Sequence, residues 1–166
     1  MARKTLSAAL RLALCFPSIR VIIKIPAKIS YEAVPWVTYT TPELAHVGKS
    51  AADIKDGSDL VITQWPFNQS DRARAEDETR GLIKVITDKK GKIYGATIVG
   101  AHAGELILPW TMAIREGKSL RAFTDTIAPY PTLSEVSKQV SGEFYKPKLF
   151  SGKVRTLVSW LQKLWW

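Results

Sequence analysis

Pro129-Tyr130-Pro131-Thr132-Leu133-Ser134-Glu135 is the most informative stretch of this 166-residue chain. Thr132 followed three residues later by Glu135 has the spacing of a capping box, in which the hydroxyl takes one free amide and the carboxylate reaches back to another. A helix is therefore predicted from residue 133 to about 144, and the capping role alone would account for Glu135. Tyr130, held between two prolines, reads as a loop aromatic. Pro147 is expected to break the chain before its last segment, because a proline has no amide to continue a helix.

Upstream, Val34-Pro35-Trp36-Val37-Thr38-Tyr39-Thr40-Thr41-Pro42-Glu43-Leu44-Ala45-His46-Val47-Gly48 divides into two readings. Residues 31–40 are rich in β-branched and aromatic side chains and predict a strand, with Pro35 favouring an edge or a bulge. Thr41-Pro42-Glu43 reads as a helix start, with threonine as cap, proline first and an acid in the first turn; Gly48 then supplies the exit. Ser50 is expected to cap a second short helix through Lys55, closed by Gly57. Residues 60–67 alternate as a strand, and the charged run 68–78 around Arg72-Ala73-Arg74 predicts a surface loop or short helix.

Residues 82–87 and 92–99 flank Asp88-Lys89-Lys90-Gly91, a composition that predicts a β-hairpin. Gly95 within it implies close backbone approach or a bulge. From residue 103 to 116 the period changes: Leu106, Ile107, Trp110, Ala113 and Ile114 share one helical face. Pro109 implies that the regular helix begins nearer Leu106 or is kinked there. Gly117 closes it, and a short helical piece covers residues 120–123.

The formal charge of +9 is not spread evenly. Residues 1–28 carry six basic side chains and no acid, residues 146–166 five and no acid, and the body holds 13 basic against 15 acidic. Basic tails without a nucleic-acid motif point to solvated or membrane-facing ends, and nucleic-acid binding is not expected. The single cysteine, Cys15, excludes an internal disulfide and reads as an ordinary thiol, and no Cys/His cluster has metal-ligand spacing. A cytoplasmic location is the default expectation. Residues 1–17 have two readings, an amphipathic helix with Leu6, Leu10, Ala13 and Leu14 on one face or a targeting segment; residues 19–25 read as an apolar connector. The run is well short of the ~20 residues that a membrane span needs. His46 and His102 stand apart from each other and read as loop or surface residues.

At the other end Val154, Leu157, Val158, Leu161, Leu164 and Trp165 recur at helical spacing, with Arg155 and Lys163 off the stripe and three tryptophans in the last seven residues. Residues 150–166 thus predict either an interfacial helix resting on an anionic bilayer, which would make the protein peripheral at a membrane, or a helix packed across a dimer or onto further domains.

From about residue 30 to 145 the order of these motifs resembles the C-terminal interface domain of the FAD-dependent pyridine nucleotide-disulfide oxidoreductases, the dihydrolipoamide dehydrogenase, glutathione reductase and mercuric reductase family. The resemblance implies an α+β domain, an antiparallel sheet of about four strands covered by helices. Residues 1–29 would be a preceding segment, 30–147 the dimerisation domain and 148–166 an amphipathic tail. It also implies a homodimer, or union with FAD- and NAD-binding domains, in which the Tyr130 to Glu135 motif meets the partner subunit's flavin. The family's dihydrolipoamide dehydrogenase branch carries His-Pro-Thr followed by Ser-Glu here. Tyr130 stands for the histidine, Pro131 follows it and Glu135 is the carboxylate, so Tyr130 and Glu135 are the implied catalytic residues and Tyr130 and Pro131 the implied flavin contacts.

Tyrosine is a departure: with an ordinary pKa of about 10, a phenol donates a hydrogen bond at neutral pH but does not readily take a proton. Mercuric reductases carry tyrosine here, yet they also carry a C-terminal cysteine pair, which Trp160-Leu161-Gln162-Lys163-Leu164-Trp165-Trp166 lacks. Mercury handling is therefore not expected. There is no Gly-x-Gly-x-x-Gly after a strand and no redox cysteine pair, so the chain by itself is expected to bind neither FAD nor NAD and not to turn over. Two main readings remain open: part of a flavoenzyme, as a fragment or the product of a truncated gene, and a stand-alone dimeric structural module, held at a membrane by its basic ends.

Overall fold

The computed structural model describes residues 31, 33–54 and 57–150, and residues 152, 156, 159–160 and 162 of the tail. The readings of Cys15, residues 1–17 and the 19–25 connector, and the tail stripe from Val154 to Trp165, lie outside the described residues. Five strands form one antiparallel sheet in the order β1-β2-β5-β4-β3: β1 Trp36–Thr38, β2 Glu43–Gly48, β3 Leu60–Pro66, β4 Leu82–Asp88 and β5 Ile93–Gly100. The α+β architecture is as expected, with five strands in place of about four.

The fifth strand is β2, where the sequence predicts a helix. Residues Glu43–Gly48 carry a local cap signal, but Ala45 and Val47 are fully buried and pair with Ile98 and Ala96 of β5. Burial on both sides of a central strand outweighs a local cap preference worth about 1 kcal/mol. Glu43, read as a first-turn acid, does serve a helix N-terminus, but a distant one: its Oε2 accepts the Gly104 amide at 2.9 Å. Strand β1, at the sheet edge as Pro35 implies, is three residues rather than ten. The expected helix after Ser50 is only a 3₁₀ turn, Ala51–Asp53; the Ser50 amide and hydroxyl both donate to Asp53 Oδ2, at 2.7 and 2.8 Å.

The hairpin β4–β5 forms as predicted, with Asp88 Oδ1 accepting from the Lys90 and Lys92 amides at 2.8 and 3.0 Å. Gly95 is the close approach its position implies: a Cβ there would lie 1.9 Å from the Lys49 carbonyl oxygen. Gly48 ends β2 at φ +77°, and a Cβ would meet the Tyr94 carbonyl oxygen at 2.2 Å.

Four α-helices follow in chain order: α1 Asp71–Ala75, α2 Ala103–Arg115, α3 Arg121–Thr124 and α4 Glu135–Leu149. The inward row Ala45, Ile98, Ile83 and Trp65 runs across four strands in register. Helix α2 packs on β2 and β5 and α4 on β3 and β4, so their buried residues Ile107, Trp110, Val136 and Val140 close one core over this face. Pro109 lies inside α2, which starts at Ala103 and not nearer Leu106. Pro147 does not break the chain either; it sits in the last turn of α4, which runs on to Leu149. Among the described residues no helix is long and apolar enough to cross a membrane.

Candidate functional site

The loop of residues 125–134 between α3 and α4 is fastened at its start, where Thr126 meets both flanking helices. Thr126 Oγ1 donates to the Ala122 carbonyl at 2.7 Å, and Lys138 of α4 donates to the Thr126 carbonyl at 3.0 Å. Within the loop Thr132 Oγ1 donates to the Pro129 carbonyl at 2.7 Å and lies 2.7 Å from Ser134 Oγ. The Tyr130–Pro131 peptide is cis. Tyr130 projects outward, 70% exposed.

The capping box predicted at Thr132 and Glu135 is not formed. Ser134 is the cap residue of α4, no side chain caps the first turn, and the Thr132 hydroxyl is spent on Pro129. The correction bears on chemistry. Glu135 opens α4 half-buried, and among the described residues its carboxylate takes part in no hydrogen bond. Capping therefore does not account for it.

Tyr130 has a partner that the sequence did not suggest. Its Oη donates to Asp71 Oδ2 at 3.1 Å. The hydrogen bond to Asp71, then the charge of Asp71, burial and the charge of Glu135 hold the phenol above its ordinary pKa, since each disfavours the phenolate. At neutral pH Tyr130 is a fixed donor. Structure thus gathers Tyr130, Pro131 and Glu135 at one surface, with Tyr130 and Glu135 coupled by charge rather than by a hydrogen bond. Asp71 lies 59 residues away, in the run read only as a charged surface, and no local pattern connects the two positions. The only signal available was the excess of polar residues in that run.

Beside the loop an open groove of about 470 Å³ separates α2 from α3 and α4, lined by Pro109, Met112, Phe123, Ile127, Pro129 and Lys138 among others. Ile127 is 90% exposed at its rim, and Leu108 and Met112 project from the outer face of α2. The groove is mostly apolar, with Glu105, Glu116, Lys118 and Lys138 also in its lining.

The two histidines differ. His102 is exposed at the start of α2. His46, expected on a loop or surface, is instead buried on β2: Nε2 donates to the Gly48 carbonyl at 2.9 Å, and Nδ1 is 2.8 Å from the hydroxyl of Thr97, its cross-strand neighbour. These contacts make it a structural link. No group of three or more His, Cys, Asp or Glu that could hold a metal occurs among the described residues.

Residues 34–141 match the family model described as the pyridine nucleotide-disulphide oxidoreductase dimerisation domain. The chain is 38% identical to dihydrolipoyl dehydrogenase of Bacillus subtilis over 118 residues, covering 70% of this chain and 25% of that protein. It is 36% identical over the same length to the mitochondrial dihydrolipoyl dehydrogenase of Caenorhabditis elegans, covering 70% and 24%. Among solved structures it resembles the HOCl-induced flavoprotein disulfide reductase RclA of Escherichia coli, with TM-score 0.66 and 25% identity over 80% of this chain and 30% of that one. It spans about a quarter of the length of the curated relatives it matches.

Proposed function

Because the chain belongs to the pyridine nucleotide-disulphide oxidoreductase dimerisation-domain family, we propose that it builds a twofold dimer and lays the Tyr130 to Glu135 loop against a partner subunit's flavin site. The observation that carries this reading is the loop itself. An exposed phenol is held in one orientation by Asp71, and beside it Glu135 keeps a carboxylate that its own helix does not consume. Two polar groups so placed suit a reaction centre on another molecule. The groove at Met112, Phe123 and Ile127 supplies apolar surface for the subunit contact.

FAD would be held by other domains, where it would supply the electron transfer between nicotinamide and disulfide. This chain's residues would cover it. Tyr130 would donate a hydrogen bond towards a thiolate or carbonyl, Glu135 would accept a proton or orient a donor, and Pro131 would fix the peptide that closes over the site. With tyrosine in place of histidine, proton transfer to and from a thiol at this position is weak, because a phenol held above its ordinary pKa is a poor base.

The test is a chimera. Residues 34–141 replace the matching segment of the Bacillus subtilis dihydrolipoyl dehydrogenase, with Tyr130 kept or changed to histidine. The expected result is a flavin-loaded dimer in both cases, with dihydrolipoamide turnover raised in Tyr130→His towards the ~10²–10⁴-fold that a positioned acid-base group contributes. A chimera that dimerises without retaining flavin would instead favour the stand-alone structural module. Equal turnover of the two chimeras would remove Tyr130 from the chemistry.

A further inference from the structure

A second surface lies at the far end of α4, away from the loop just described. Lys148 Nζ donates to the Lys89 carbonyl at 2.8 Å, which brings the end of α4 against the β4–β5 turn. Lys89, Lys90, Lys146 and Lys148 are all exposed there. Asp88, the acid of the turn, directs its carboxylate to the backbone amides of Lys90 and Lys92. Lys89 pairs with Asp59 and Lys146 with Glu143, whereas among the described residues Lys90 and Lys148 meet no carboxylate. Inside this basic collar Leu149 and Phe150 stand 60% and 73% exposed.

The chain beyond continues the same character. From residue 146 to 166 there are five basic side chains and no acid, and the apolar residues of the tail sequence recur at helical spacing. Gly152, Thr156, Ser159, Trp160 and Gln162 are helical and exposed, Trp160 by 60%. Exposed aromatic and aliphatic side chains ringed by lysines, leading into a basic, tryptophan-bearing amphipathic segment, have the chemistry of an interfacial anchor. The apolar side enters the acyl boundary and the ammonium groups meet anionic headgroups. A dry protein groove would leave Lys90 and Lys148 to be desolvated without a carboxylate partner.

We propose that this end of the domain, the β4–β5 turn with Leu149 and Phe150 at the end of α4 and the exposed Trp160 beyond, docks on an anionic membrane surface. The test is flotation of the purified full chain with phosphatidylcholine vesicles, with and without phosphatidylserine. Flotation is expected only with phosphatidylserine and is reduced by high salt. Lys90→Gln and Lys148→Gln should each lower partitioning about fivefold, and Phe150→Ser about tenfold. Trp160→Ser should abolish any blue shift of tryptophan emission contributed by that residue. All four positions are exposed, so an unchanged circular dichroism spectrum will show that the fold is kept. No flotation with phosphatidylserine vesicles, or equal flotation of wild type and variants, would overturn the proposal. Retention by a soluble polyanion such as tRNA without vesicle binding would also do so.

Discussion

Replacing Ser137 by alanine should destabilise the domain through a single buried hydrogen bond. Trp110 of α2 is fully buried and stacks on Phe123 at 4.1 Å between ring centroids; its indole Nε1 donates to Ser137 Oγ of α4 at 3.0 Å. Ser137→Ala removes the acceptor without removing the donor. The indole N–H of a fully buried Trp110 is then left without its protein acceptor, which costs about 1–3 kcal/mol. Trp110→Phe removes the donor, and in that background the serine hydroxyl has nothing to accept, so the second change, Ser137→Ala, should cost under ~0.5 kcal/mol. The coupling energy of the double-mutant cycle is therefore expected at roughly 1–2 kcal/mol. Urea unfolding followed by circular dichroism measures it as a lower midpoint with an unchanged slope. The bond matters for the site because Ser137 follows Glu135 within the first turn of α4, so it fixes that turn against α2. Equal cost of Ser137→Ala in both backgrounds would refute the reasoning.

Gly95→Ala should cost about 3 kcal/mol or more, since the added methyl would meet the Lys49 carbonyl at 1.9 Å and two backbones would have to part; a thermal midpoint within a degree of wild type would contradict this. Asp71→Asn should lower the Tyr130 pKa, because the carboxylate is the main cause of its elevation. The sign is fixed: a raised phenol favours folding fully below the unfolded value near ~10 and loses that contribution as pH rises through the folded value. Ultraviolet difference titration of wild type against Asp71→Asn should therefore show one tyrosine ionising earlier in the variant, and superimposable curves would exclude the Asp71 link.

Much of the fold was legible because its signals are local. The turn Asp88-Lys89-Lys90-Gly91 between alternating apolar runs gave the hairpin, and the spacing of Ile107, Trp110 and Ala113 gave the buried face of α2. The misread elements are those where tertiary burial overrode a local signal. Thr41-Pro42-Glu43 has the composition of a helix start, yet Ala45 and Val47 are worth more in the sheet core, and the carboxylate of Glu43 finds the Gly104 amide of another helix. Pro147 carries the signal of a helix end and Pro109 that of a later helix start, but a helix packed along its length tolerates each missing amide. At the site, Tyr130, Pro131 and Glu135 were visible as a motif, whereas Asp71 depends on a fold that brings the start of α1 to the 125–134 loop. The capping role expected of Glu135 failed because Thr132 found the Pro129 carbonyl instead.

The most direct test of a dimerisation domain is its mass in solution. Sedimentation velocity of the full chain at micromolar concentration should give a species of twice 18.5 kDa. It should persist in Trp160→Ser, which alters the tail, and dissociate in Ile127→Asp or Met112→Glu, which place a charge on the apolar rim of the groove. A monomer at all concentrations, or a dimer lost with Trp160 and indifferent to Ile127 and Met112, would contradict the assignment of this surface to subunit contact.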